Sequence, residues 1–117
     1  MSGFLTTHVL DTSHGRPAAG MEIELARFES GERRVLKTVK TNDDGRTDEP
    51  LLTKVEFAAG EYEIVFSAGA YFAGESDMSD PPFLDRVPIR FGISDPEAHY
   101  HVPLLASPWA YSTYRGS

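Results

Sequence analysis

The sequence predicts an all-β fold, an antiparallel sandwich with one short helix, and three observations carry that prediction. About seven or eight short runs, spaced roughly 8 to 15 residues apart, alternate apolar with polar residues as strands buried on one face do. Between them stand clusters of turn formers such as Asp11-Thr12-Ser13-His14-Gly15-Arg16-Pro17 and Asn42-Asp43-Asp44-Gly45. Only Ala68 to Ala73 spaces Ala, Tyr and Phe as one or two helical turns would.

Residues 4 to 11 alternate loosely and carry the β-branched Thr6, Thr7 and Val9, so they read as a first strand with Phe4, Thr6, His8 and Leu10 on one face. Gly20 to Phe28 is the second, with Met21, Ile23 and Leu25 turned inward. The charged stretch Glu29-Ser30-Gly31-Glu32-Arg33-Arg34 is expected to be a solvated turn before a third strand, Val35 to Thr41. Asn42-Asp43-Asp44-Gly45 then turns the chain and launches Arg46. Leu51 to Phe57 suggests a short strand or loop edge, and Ala59-Gly60 leads into the apolar strand Glu61 to Phe66. Gly74 to Pro82 is acidic and bounded by proline, hence a loop, and Arg86 to Ile93 resumes the strand pattern. His99 to Ala106 is the next strand, and Ser107-Pro108-Trp109 turns into the last. Pro103 has no amide hydrogen, so it must occupy an edge, a bulge or a non-pairing position.

A chain of 117 residues is expected to be one domain, 1–117, with a single core and no need of staples. It has no cysteine, which excludes a disulfide framework, a thiolate nucleophile and a Cys-based metal site. No leader pattern precedes Phe4 and no apolar run suits a bilayer, so the expected compartment is the cytoplasm. A formal charge of -7 disfavours nucleic acid and anionic membranes. A small anionic substrate would then need local arginines, and Arg46 and Arg115 are the candidates.

The final stretch Ala110-Tyr111-Ser112-Thr113-Tyr114-Arg115-Gly116-Ser117 is too rich in strand-forming Tyr and Thr for an expendable tail, and reads as a terminal strand or a pocket wall. If it is extended, Tyr111, Thr113, Arg115 and Ser117 share one face. His99 and His101 also share a strand face, a spacing that can hold zinc or copper with His8 as a third ligand. No further ligand spacing accompanies them, so no metal or other cofactor is expected. His14, in its turn, reads as an ordinary hydrogen-bonded histidine.

Read together, Leu5-Thr6-Thr7-His8-Val9-Leu10-Asp11, Thr41-Asn42-Asp43-Asp44-Gly45-Arg46, His99-Tyr100-His101-Val102-Pro103-Leu104-Leu105 and the ending Tyr114-Arg115-Gly116-Ser117 resemble the 5-hydroxyisourate hydrolases, the transthyretin-like enzymes of urate breakdown. The similarity runs from about Phe4 to Ser117, and its most specific part is the ending, which in that family marks the enzymes and is absent from the hormone carrier. The resemblance implies a transthyretin-like sandwich of two four-stranded sheets, assembled as a homotetramer, a dimer of dimers with sites at subunit interfaces. It implies hydrolytic opening of the six-membered ring of 5-hydroxyisourate, a purine-derived small molecule. It further implies His8, Arg46, His101 and Ser117 as catalytic residues, with His8, Arg46, Tyr114, Arg115, Gly116 and Ser117 holding the substrate, and leaves His99 structural or in a supporting place. Such a reaction needs a positioned water, a base for its proton, and donors for the oxygen that becomes negative. Neutral imidazole suits the second task and Arg46 the third, and a nearby guanidinium favours the neutral imidazole. Ser117 as a nucleophile would need an oriented base behind it, so a substrate-binding hydroxyl is the expected role. The competing readings are a small-ligand (hormone) carrier of the same fold, which needs apolar channel walls, and a structural sandwich without a site.

Overall fold

The computed structural model describes residues 3–75 and 78–116. Among these described residues eleven strands carry the fold: β1 (Phe4–Thr6), β2 (Val9–Asp11), β3 (Arg16–Pro17), β4 (Glu22–Glu29), β5 (Glu32–Lys40), β6 (Leu52–Thr53), β7 (Gly60–Ser67), β8 (Arg86–Ile93), β9 (His99–His101), β10 (Leu104–Ala106) and β11 (Tyr111–Thr113). A 3₁₀ turn, Lys54–Glu56, which the sequence pattern did not suggest, follows β6, and the helix α1 (Ala68–Phe72) lies where the pattern predicts one.

One layer is the antiparallel sheet β5-β4-β7-β8. Met21, Ile23 and Leu25 alternate inward as expected and meet Tyr62, Ile64 and Phe66 of β7 and Val87 and Ile93 of β8 in the core. The expected solvated turn at 29–34 is shorter than it reads. Ser30 and Gly31, at φ 52° and 81°, make a two-residue connection, and Glu32, Arg33 and Arg34 continue the strand. Their charges still face outward, with Arg33 paired to Glu24 and Glu63 at 2.7 and 2.9 Å.

The second layer is built on a pair of chain segments 95 residues apart. β1 runs parallel to β9 and β2 parallel to β10, with Phe4 opposite His99 and Val9 opposite Leu104. The sandwich is therefore mostly antiparallel, with this one parallel seam. Each segment reads as a single strand in the sequence, yet both break at the same place, Thr7–His8 against Val102–Pro103. Proline explains it: Pro103 stands opposite His8 in this register and has no amide to give. The flanking bonds, Val102 N–H to Thr6 O at 2.9 Å and Leu104 N–H to His8 O at 3.0 Å, keep the halves in one register. On one side of the break β6 joins β1 and β9, and on the other β11 and β3 flank β10 and β2. Leu5, Val9, Tyr100, Val102, Leu104 and Ala106 turn from this layer into the core, leaving Phe4, Thr6, His8, His99 and His101 on its other, half-buried face.

Candidate active site

The outer face of the β1–β9 seam gathers several of the candidate residues. Because parallel partners lie side by side, Thr6 stands opposite His101, and its face-mate Phe4 stands opposite His99. Thr6 Oγ1 is 2.7 Å from His99 Nε2 and 2.8 Å from His101 Nδ1, so one hydroxyl joins both imidazoles. The His99 ring stacks on Phe4 at 4.1 Å and 17°.

Arg46 reaches the same place from the turn before it. Asn42 N–H bonds Arg46 O and its Oδ1 accepts the amides of Asp44 and Arg46, while Gly45 takes φ 75°. The turn is docked as well as closed: Gly45 O accepts Val9 N–H at 2.8 Å, and a Cβ on Gly45 would stand 2.3 Å from Val9 O. Only glycine fits both the angle and the approach. Thr6, Thr7, Arg46, Thr47, Pro50, His99 and His101 line an open cavity of about 370 Å³. Among the described residues the Arg46 guanidinium has no hydrogen-bond or ion-pair partner. Burial, then the positive charge of Arg46, then His99 and His8, hold the His101 imidazole below its ordinary value of 6.5, which favours the neutral ring.

The residues expected at the site are distributed unevenly. Arg46 and His101 line the cavity together. His8 stands at the strand break on the same face, outside the cavity wall but close enough for its charge to act on His101. Gly116 lies against His101: its amide donates to His101 O at 2.7 Å, and a Cβ there would meet His101 Cδ2 at 2.6 Å. Tyr114 and Arg115 instead line a separate hollow with Tyr100, Val102, Ile89 and Phe91, and the Arg115 guanidinium carbon lies 4.0 Å from the Tyr100 ring centre. Ser117 lies outside the described residues. His99, expected in a supporting place, forms part of the wall, and Thr6 and Thr47 were not singled out at all. Thr6 was legible in principle, since it shares a strand face with His8; Thr47 offered no signal beyond following Arg46. Among the described residues no group of three or more His, Asp or Glu is arranged to hold a metal ion.

A second polar cluster occupies the far end of β2. The Asp11 side chain is buried and accepts hydrogen bonds from Ser13 N–H and Oγ, His14 N–H, and the Tyr71 hydroxyl at 2.8 Å, with His14 Nδ1 2.7 Å from Oδ2. Burial pushes this carboxyl up, but the bonds from Ser13, His14 and Tyr71 outweigh it and hold the acid below its usual 3.8. His14 Nε2 meets Glu75 at 3.0 Å, so both ring nitrogens are engaged. His14 is the hydrogen-bonded histidine its turn suggests.

Known proteins resemble this chain over its length. The 5-hydroxyisourate hydrolase 2 of Rhizobium meliloti (strain 1021) is 58% identical over 117 residues, covering 99% of this chain and 98% of that protein. The crystal structure of (S)-allantoin synthase superposes with a TM-score of 0.93 at 52% identity, covering 99% of this chain but 44% of the synthase. That of Klebsiella pneumoniae 5-hydroxyisourate hydrolase superposes with a TM-score of 0.79 at 36% identity, covering 98% of this chain and 94% of that one. Residues 5–116 match the HIUase/Transthyretin family, and with the fold and these identities the chain belongs to it.

Proposed function

We propose that this chain is a 5-hydroxyisourate hydrolase, which opens the six-membered ring of its substrate to 2-oxo-4-hydroxy-4-carboxy-5-ureidoimidazoline. The observation that carries this reading is the pairing, in one cavity, of a guanidinium that has no hydrogen-bond or ion-pair partner among the described residues with an imidazole whose pKa is lowered. Arg46 takes the substrate carbonyls and the negative oxygen that forms when water adds. His101 takes the proton of that water as its oxygen bonds the acyl carbon, and returns it to the ring nitrogen as the carbon–nitrogen bond breaks. His8, on the same face, orients the water. No residue forms a covalent bond to the substrate, and Ser117 acts as a binding hydroxyl.

The same reading takes the whole chain, 1–117, as one domain acting in the cytoplasm, as a homotetramer with its sites at subunit interfaces. Two features support association. β8 and β11 each end a sheet with an unpaired edge, and Trp109, Tyr111 and Tyr114 beside the second edge are exposed. The carrier reading is disfavoured by the character of the cavity, whose wall is two histidines, three threonines, an arginine and a proline.

The test is the decay of freshly generated 5-hydroxyisourate, followed by ultraviolet absorbance with the protein and with His101→Ala. Acceleration that falls by about 10² to 10⁴ in the variant is expected of a lost general base. An unaccelerated decay with the intact protein, or a variant as fast as the parent, overturns the assignment.

A further inference from the structure

A hydroxyl has one hydrogen to donate and lone pairs to accept with. Thr6 Oγ1 lies within bonding distance of His99 Nε2 and His101 Nδ1. Between neutral rings at most one nitrogen can accept the Thr6 hydrogen, and when one does, the other must donate its own. In that arrangement the protonation of one imidazole dictates that of the other. Neither ring can easily turn away, for His99 lies flat on Phe4 and His101 has Gly116 packed against Cδ2.

We propose that Thr6 is a positioning residue for the hydrolysis: it gives its hydrogen to His99 Nε2 and accepts one from His101 Nδ1, which leaves the His101 Nε2 lone pair bare for water. This rests on His101 being the base. The opposite arrangement would put the hydrogen on His101 Nε2, and a neutral ring so protonated cannot take another proton there. Arg46 shares the cavity wall with His101, and its positive charge disfavours adding a proton to that ring. His99, on this reading, is the acceptor that draws the Thr6 hydrogen away from the base.

The experiment labels the histidines with ¹⁵N and reads the tautomer of each ring by long-range proton–nitrogen correlation, beside the kinetics of 5-hydroxyisourate decay. The expected pattern is hydrogen on His101 Nδ1 and on His99 Nδ1, with both Nε2 atoms bare. Thr6→Val should abolish this pattern, lower kcat by about 10- to 100-fold with little change in KM, and displace the acid limb of the rate profile. Thr6→Ser keeps the hydroxyl and should restore tautomers and rate. His99→Phe retains the stack but not the acceptor, and should move the His101 hydrogen to Nε2; this variant decides the matter should Thr6→Val not fold.

A Thr6→Val protein with unchanged tautomers, or a Thr6→Ser protein as slow as Thr6→Val, overturns the proposal. So does a His99→Phe protein whose His101 keeps its Nδ1 hydrogen. Coupled histidines in a protein without hydrolase activity would overturn the function and not the coupling; uncoupled histidines in an active enzyme would overturn the coupling alone.

Discussion

The segment that makes β1 and β2 has a histidine-containing polar cluster against each end, and the two ends treat histidine in opposite ways. At the β2 end His14 is gripped by carboxylates on both nitrogens, and Asp11 has its own charge met by Ser13, His14 and Tyr71. At the β1 end His101 is held by a neutral hydroxyl, and the charge that acts on it most is the positive charge of Arg46. Saturating a side chain with partners of opposite charge fixes a loop and leaves nothing for a substrate. Holding it with one neutral bond, beside a cation that has no partner among the described residues, leaves a lone pair for a substrate or water. Hydrogen-bonded histidines therefore differ in kind according to what is left over after the bonds are made.

This contrast can be broken or sharpened by substitution, beginning with the largest expected effect. His101→Asn should lower the rate of 5-hydroxyisourate hydrolysis by about 10² to 10⁴ while moving the melting temperature little. Arg46→Gln removes a charged hydrogen-bond donor, worth about 1.5–3 kcal/mol, so kcat/KM should fall by roughly 10- to 150-fold. It should also raise the acid limb, because the charge that disfavours His101 protonation is gone. In the parent protein that limb should lie below 6.5, the ordinary value of histidine. The stability sign agrees: the unfolded chain takes the His101 proton first, so stability attributable to this group is lost as pH falls below that value.

At the other end the same kind of change should leave rate per folded molecule untouched. Asp11→Asn strips a buried acceptor of its charge and should cost about 1–3 kcal/mol in denaturant unfolding. The parent should lose the Asp11 contribution only as pH falls from 3.8 through the lowered native value, since a depressed acid stabilises the fold above its unfolded pKa. Tyr71→Phe removes one bond to Asp11 and should cost about 1 kcal/mol. If Tyr71→Phe slowed catalysis as much as Arg46→Gln, the division between the two ends would be wrong.

Much of this was legible in the sequence, for local reasons. The Asn42–Gly45 turn, the inward Met21, Ile23 and Leu25, the helix at α1 and the disruption at Pro103 are each dictated by a few neighbouring residues. What escaped depends on partners far along the chain. The parallel register that sets Thr6 opposite His101 leaves no mark on either strand, so neither the hydroxyl bridge nor the place of His99 in the wall could be read from alternation. Arg115 shows the same limit. Extended periodicity groups it with Thr113 but cannot say that Tyr100 will receive its guanidinium.

The parallel seam also governs when the cavity wall can exist during synthesis. Thr6 leaves the ribosome 95 residues ahead of His101, a delay of roughly 5–20 s at ordinary rates of elongation. Until then β1 has no β9 to lie against. Pairings so distant in sequence are slow to form, because closing the intervening loop costs entropy before any contact repays it. A chain released before His101 therefore lacks this wall.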